Sequence, residues 1–336
     1  MTQPPAGGDP PGRRRRLGRA LRALAVLGMF AFVALVLARS WPEARPSLGR
    51  LSAAGIAGAL LAALAGQLAS FLSWRAVLAD CGARPPFRGG LRVFFLGQLG
   101  KYLPGSVWTV VAQVELGRDY RVPRRVSGAA AVIFMLLVLL TGLLLGVASL
   151  WVLGPQVLER WWWMLAALPV VAAVLYPPLL NRLVSLALRL TRRAPLPAAL
   201  SPAGIAAATA WTLLAWALYG AHLWVLGVDV GAGGGELLLE SVVAFAAAWS
   251  VGFLAVFAPA GAGVREALLI LTLGTTMSVG QATVVALASR LLLSAGDVTW
   301  GLASLALRPR PLDPARPAPV GAGPAADGGP DGAGAG

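Results

Sequence analysis

Long apolar runs separated by short polar segments dominate this chain. A hydrocarbon core of about 30 Å needs roughly 20 apolar helical residues to cross it. Six uninterrupted runs meet that length: about 20–38, 51–74, 126–153, 161–180, 202–226 and 280–306. Two further apolar stretches, about 91–114 and 238–274, are broken in the middle. In the first, Pro104-Gly105 interrupts the run, because proline lacks an N–H and glycine is permissive. The half-helices 91–103 and 106–114 then measure only about 20 and 14 Å at 1.5 Å per residue, so each reaches the midplane and returns. In the second, Pro259, Gly261 and Gly263 separate an apolar piece over 238–257 from another ending near 274. The pattern predicts an all-α polytopic membrane protein with about six transmembrane helices and two re-entrant broken hairpins.

Composition sharpens this picture. Of 336 residues 57% are hydrophobic and 12% charged, the latter about half the usual share of soluble domains. A soluble globular enzyme of this size cannot hide so much apolar surface. Residues 1–19 and 309–336 are rich in Pro, Gly, Ala and charge, cannot build a core, and read as disordered tails around a membrane domain over 20–308. Arg13 to Arg16 ahead of the first run resemble the start of a signal peptide, but the run is long and more spans follow, so it reads as an uncleaved signal anchor. A single Cys81 and a single His222 exclude a disulfide framework and a cysteine or histidine metal cluster. No nucleotide-binding or hydrolase motif is present, and neither a cofactor nor a metal is expected.

The net charge is +14, and 27 of the 28 basic residues are arginine. Such a balance invites nucleic acid as a partner, but the arginines lie in short loops between apolar runs, the positive-inside pattern of a plasma-membrane protein. With both termini in the cytoplasm and neither broken stretch crossing, 21 arginines fall inside and 4 outside. This topology groups span 51–74, hairpin 91–114 and span 126–153 as one unit that starts outside. Span 202–226, hairpin 238–274 and span 280–306 form a second unit that starts inside. The two are related by inversion, a transporter signature.

Polar residues at membrane depth are functional candidates. Lys101, the only lysine, sits beside the first break with Gln98, Tyr102, Ser106, Gln113 and Glu115. A snorkelling lysine is its bland reading, and Glu115 pairs naturally with Arg118 at i,i+3. Arg265 and Glu266 follow the second break. Arg290 lies some 15 Å into its span and needs an acidic partner; Glu266 suits better than Asp297, which is two turns away on the same helix. His222 reads as a satisfied interior residue. Trp161-Trp162-Trp163 are explained by an aromatic belt.

The segment from Phe95 through Gln98, Lys101, Tyr102, Pro104, Gly105 and Ser106, with Gln113 and Glu115 after it, and the later Pro259-Ala260-Gly261-Ala262-Gly263-Val264-Arg265-Glu266 resemble the two signature segments of the lysylphosphatidylglycerol synthase transmembrane region, a flippase-like family. The resemblance covers about residues 20–308. It implies a membrane domain that moves aminoacylated phosphatidylglycerol, joined in full-length members to a soluble domain that makes it. After Arg310 this sequence offers only a tail, so the resemblance implies a stand-alone membrane domain, with an anionic, aminoacylated or polyprenyl-linked lipid as substrate and membrane lipids as partners. A non-transporting subunit of a glycosyltransferase or other envelope enzyme is the alternative; it predicts that Lys101→Ala affects assembly alone.

Overall fold

The computed structural model describes residues 44–103, 107–152, 176–233, 236–255, 261 and 263–306, with scattered positions in 38–42 and 159–174; for 148–152 it describes the backbone alone. The expected span 20–38 apart from its last residue, more than half of 161–180, both tails, and the break residues Pro104, Gly105, Ser106 and Pro259 lie outside the described residues.

All regular structure among the described residues is helical. Helix α1 runs Ala53–Asp80, α2 Phe87–Gln98, then a 3-10 turn Leu99–Tyr102, α3 Val107–Arg118, α4 Arg124–Val152, α5 Pro177–Leu190, α6 Pro202–Asp229, α7 Leu237–Leu254, α8 Val264–Leu273 and α9 Val279–Ala306. Among them α1, α4, α6, α7 and α9 are long and apolar enough to cross a membrane, which makes this an all-α, multi-pass membrane protein. Four of the five coincide with expected spans. The fifth, α7, was expected only as a hairpin arm; its 18 residues extend about 27 Å, well beyond a midplane-reaching arm. In the first broken stretch α2 and α3 have 12 residues each, about 18 Å, too short to cross. A second departure concerns the expected span 161–180. Its last residues open α5, because Pro177 and Pro178 occupy the first turn, where a missing N–H costs nothing.

The longest contact in the bundle is α1 lying along α6. Both helices have 28 residues, and they run antiparallel, tied at both ends by the same device. Ser52 caps α1, its hydroxyl accepting from Gly55 N at 2.9 Å, while its own N and Oγ donate to Asp229 at 2.6 and 2.8 Å. Ser201 caps α6 through Gly204 N at 2.9 Å and donates from N and Oγ to Asp80 at 2.7 and 2.8 Å. Each aspartate ends one helix and serves the start of the other. Glycine is required beside each: a Cβ at Gly55 or Gly204 would fall 2.2 Å from the opposing carboxyl. The helices around this pair interleave. Helix α4 packs on α6 and α7, and α9 packs on α1 and α2, so each unit's last long helix lies against the other unit.

Aromatic side chains fill the joints. Phe71, Trp74, Phe94 and Phe134 meet ring to ring between α1, α2 and α4, and Phe95 stacks on Trp300 of α9 at 4.7 Å. Around α7, Trp216 and Tyr219 of α6 close on Phe245, with Tyr219 stacked on it at 4.9 Å. Between these two clusters the helices leave an internal cavity.

Candidate functional site

The cavity measures about 190 Å³, room for on the order of ten waters. Its walls are aromatic and aliphatic: Phe94, Phe95, Phe134, Trp216, Phe245 and Trp249. Into this apolar shell project Lys101, Asp297, Arg265 and Arg290, with Gln67, Gln98 and Gln113.

Asp297 is the hub. It lies in the second half of α9, buried, and collects three donors from two other elements. Lys101 Nζ, on the 3-10 turn, reaches Oδ1 at 2.8 Å and Oδ2 at 2.7 Å. Tyr102 donates its hydroxyl to Oδ2 at 2.6 Å, and Gln67 of α1 donates to Oδ1 at 3.0 Å. A carboxylate removed from water needs such partners, and charge-assisted bonds are the strong ones. The turn itself can approach because residue 100 is glycine: a Cβ there would meet the backbone of Trp108 and Thr109 at 2.8 Å. The Lys101 side chain stays 36% exposed, so the lysine bridges the buried carboxylate and the outside.

The second charge pair lies at the start of α8. Gly263 holds φ +83°, a conformation that suits glycine, and its N–H donates to Glu266 Oε2 at 2.5 Å. The other carboxylate oxygen, Oε1, faces Arg290 Nη1 at 3.4 Å. Arg265 beside it has no carboxylate partner among the described residues. Its guanidinium sits over the Phe245 ring at 4.3 Å, a cation–π contact, and its Nη2 is sealed from solvent without a hydrogen-bond acceptor among the described residues. Guanidinium nitrogens buried this way are costly unless something is bound to them.

The predicted residues thus sort into groups. Lys101, Tyr102, Gln98, Gln113, Arg265, Arg290 and Asp297 line one cavity, which Gly261 also borders. Glu266 supports it through Arg290, the partner expected for that arginine. Asp297, for which the sequence suggested no partner, is paired with the lysine of the first broken stretch, which folding brings across 196 residues. Glu115 does not line the cavity. It is exposed and bonds to Arg118 at 3.0 Å and Arg124 at 2.9 Å, because its place near the end of α3 turns it to the basic loop. Ser106 lies outside the described residues. His222 is buried and satisfied: its Nδ1–H donates to the Tyr219 carbonyl, and its Nε2 bonds to Ser289 Oγ at 2.7 Å.

Sequence reasoning passed over Gln67, Ser294 and Tyr219. Gln67 carried a signal, since it is the one amide side chain of its helix and lies halfway along it, directly after a first half without polar side chains. Tyr219, hydrogen-bonded to Ser70 at 3.1 Å, carried none, as tyrosines in apolar helices are common interfacial residues.

Comparison with known proteins agrees with the geometry. The family described as the lysylphosphatidylglycerol synthase TM region matches residues 19–301, nearly the whole chain, and the chain belongs to that family. No curated protein matches it.

Proposed function

We propose that this family member is a lipid translocator of the plasma membrane, moving a lipid with an anionic headgroup between leaflets. One observation carries the reading: a cavity inside the bundle combines charged side chains with an apolar shell and borders exposed apolar surface. Tyr102 and Leu103 line it and are exposed, and Leu99, Val107 and Trp108 beside them are exposed as well. A headgroup can enter the polar interior there while its acyl chains stay in the bilayer. Non-helical backbone at that depth is tolerated where it lines such a cavity.

The polar residues divide the task. Lys101 meets the headgroup at the mouth, and its ammonium exchanges Asp297 for the incoming anion. Arg265, whose Nη2 lacks an acceptor, and Arg290 hold the anion deeper. Gln98 and Gln113 complete the polar lining. The first broken stretch acts as a re-entrant hairpin, and the second, with its longer arm α7, is its counterpart within two units related by inversion, over residues 20–308, with both termini cytoplasmic. The reciprocal Ser–Asp ties of α1 and α6, and the mutual packing of α4 and α9 on the opposite unit, support the inversion. Alternating access about such repeats gates the path.

The test is leaflet exchange of labelled phosphatidylglycerol and polyprenyl-phosphate lipids in proteoliposomes, at equal incorporation of wild type, Lys101→Ala and Arg290→Ala. Exchange in the wild type that both substitutions abolish is the expected result. Absence of exchange with every lipid would turn the reading to a non-transporting subunit, and capture of an envelope enzyme would be sought.

A further inference from the structure

Helix α5 joins the two units, and its surface has a composition that translocation does not use. It turns Leu180, Val184 and Leu188 toward the protein, where Leu180 and Val184 pack into the main core with Leu196 and Leu200. A second apolar stripe, Leu179, Leu183, Leu186 and Leu190, falls within an arc of about 60° at 100° per residue. Leu183, Leu186 and Leu190 of this stripe are exposed at 43%, 53% and 76%. Arg182 and Arg189 flank it on one side, about 70° round the helix, and Arg192 and Arg193 follow directly; all four are exposed. From Tyr176 to Leu200 the chain contains no acidic residue.

We infer that α5 is an interfacial helix that seats its leucine stripe in the lipid leaflet and binds anionic phospholipid headgroups through Arg182, Arg189, Arg192 and Arg193. Its depth is fixed by a tether. Asn181 donates to Leu200 O at 2.9 Å and accepts from Leu200 N at 2.8 Å, directly before Ser201 caps the membrane-crossing α6. The helix therefore lies level with the ends of α1 and α6, where a bilayer's headgroups begin. Its 14 residues extend about 21 Å, too short to cross. A basic polar side beside an apolar stripe is the composition of helices that lie in the interface plane. Charge selects the leaflet: four arginines without a carboxylate complement anionic headgroups, and each contributes about 1 kcal/mol near such a surface, about fivefold in affinity.

The test places an environment-sensitive fluorophore on Leu186→Cys in a Cys81→Ala background, in vesicles of phosphatidylcholine with or without phosphatidylglycerol. With phosphatidylglycerol the fluorophore should be quenched by doxyl-labelled lipids and hidden from iodide. Phosphatidylcholine alone, high salt, or the Arg182→Gln/Arg189→Gln pair, which removes about 25-fold in affinity, should each return iodide access. Iodide access in both lipids overturns the inference. So does protection from iodide and doxyl lipids together, which would mean that protein, such as a second copy, covers the stripe. The salt titration needs no variant arginine, so the inference stays testable if the double substitution fails to fold.

Discussion

The α1–α6 pair and the two broken stretches match their counterparts to different degrees within one bundle. In the pair, everything is matched: 28 residues in each helix, a serine cap at one end, an aspartate at the other, and a glycine of positive φ two residues beyond, Gly82 and Gly231. The broken stretches share a place in each unit and little else. The first has two arms of 12 residues and a lysine-bearing turn. The second has arms of 18 and 10 residues and an Arg-Glu pair at a glycine cap. The Ser–Asp ties of the matched pair are satisfied by the protein's own atoms. The unmatched stretches bring Lys101 and Arg265 to the cavity, where Arg265 Nη2 has no hydrogen-bond acceptor among the described residues.

Removing Asp297 should separate the two regions most strongly. Asp297→Ala strands the Lys101 ammonium, the Tyr102 hydroxyl and the Gln67 amide, while leaving both Ser–Asp ties intact. Breaking a buried ion pair costs about 3–5 kcal/mol; with Lys101 partly solvated, about 2–3 kcal/mol is expected here, read as a lowered unfolding midpoint in detergent, together with loss of lipid exchange. Adding Lys101→Ala should recover part of the stability and none of the exchange. Full recovery of exchange in the double variant would make the pair purely structural. Arg265→Gln comes next. It leaves Phe245 its ring contacts and removes no described ion pair, so the midpoint should move by less than about 1 kcal/mol while exchange falls tenfold or more. Unchanged exchange would remove Arg265 from the path.

How much of this division could be read from the sequence depends on the range of the interaction. The spans of α1, α4, α6 and α9 were legible because hydropathy is a local property summed over a whole helix. Arg290–Glu266 was legible because a buried cation limits its partners to the few carboxylates at membrane depth. Lys101–Asp297 was not, since it depends on how α2 and α9 pack, and α9 seen alone put Asp297 only in relation to Arg290. The ties of α1 to α6 had a signal that went unused: Leu51-Ser52-Ala53-Ala54-Gly55-Ile56-Ala57 and Leu200-Ser201-Pro202-Ala203-Gly204-Ile205-Ala206 nearly repeat, each followed by Asp at the same spacing. The first turn of α5 was absorbed into the span 161–180 because apolar runs were counted without regard to Pro177-Pro178, which starts a new helix.

The matched pair offers a smaller and more discriminating test. Losing a serine cap costs about 1 kcal/mol. If α1 and α6 are true equivalents, Ser52→Ala and Ser201→Ala should lower the unfolding midpoint by similar amounts, and neither should slow exchange. A marked inequality would mean that one end of the pair bears more of the packing than the other. A selective loss of exchange would place the ties among the moving parts and not in the frame.

Glu115 carries the smallest effect, and it tests whether a signature-segment residue can be purely peripheral. Its carboxyl is held below the usual value first by the hydrogen bond from Arg118 and then by the charge of Arg124. A carboxylate with a depressed folded value adds stability above its unfolded value, near pH 4, and loses that contribution as pH falls through the folded one. Glu115→Gln should therefore lie slightly below wild type in unfolding midpoint at pH 7, and the gap should close in acid. Salt should shrink the gap at neutral pH, because the cluster is solvent-exposed. Exchange should be unaffected, since the cavity is lined by Gln113 and not by Glu115. A Glu115→Gln protein with wild-type stability at pH 7 but impaired exchange would reverse the assignment, and would extend the path from the cavity to the basic loop that follows α3.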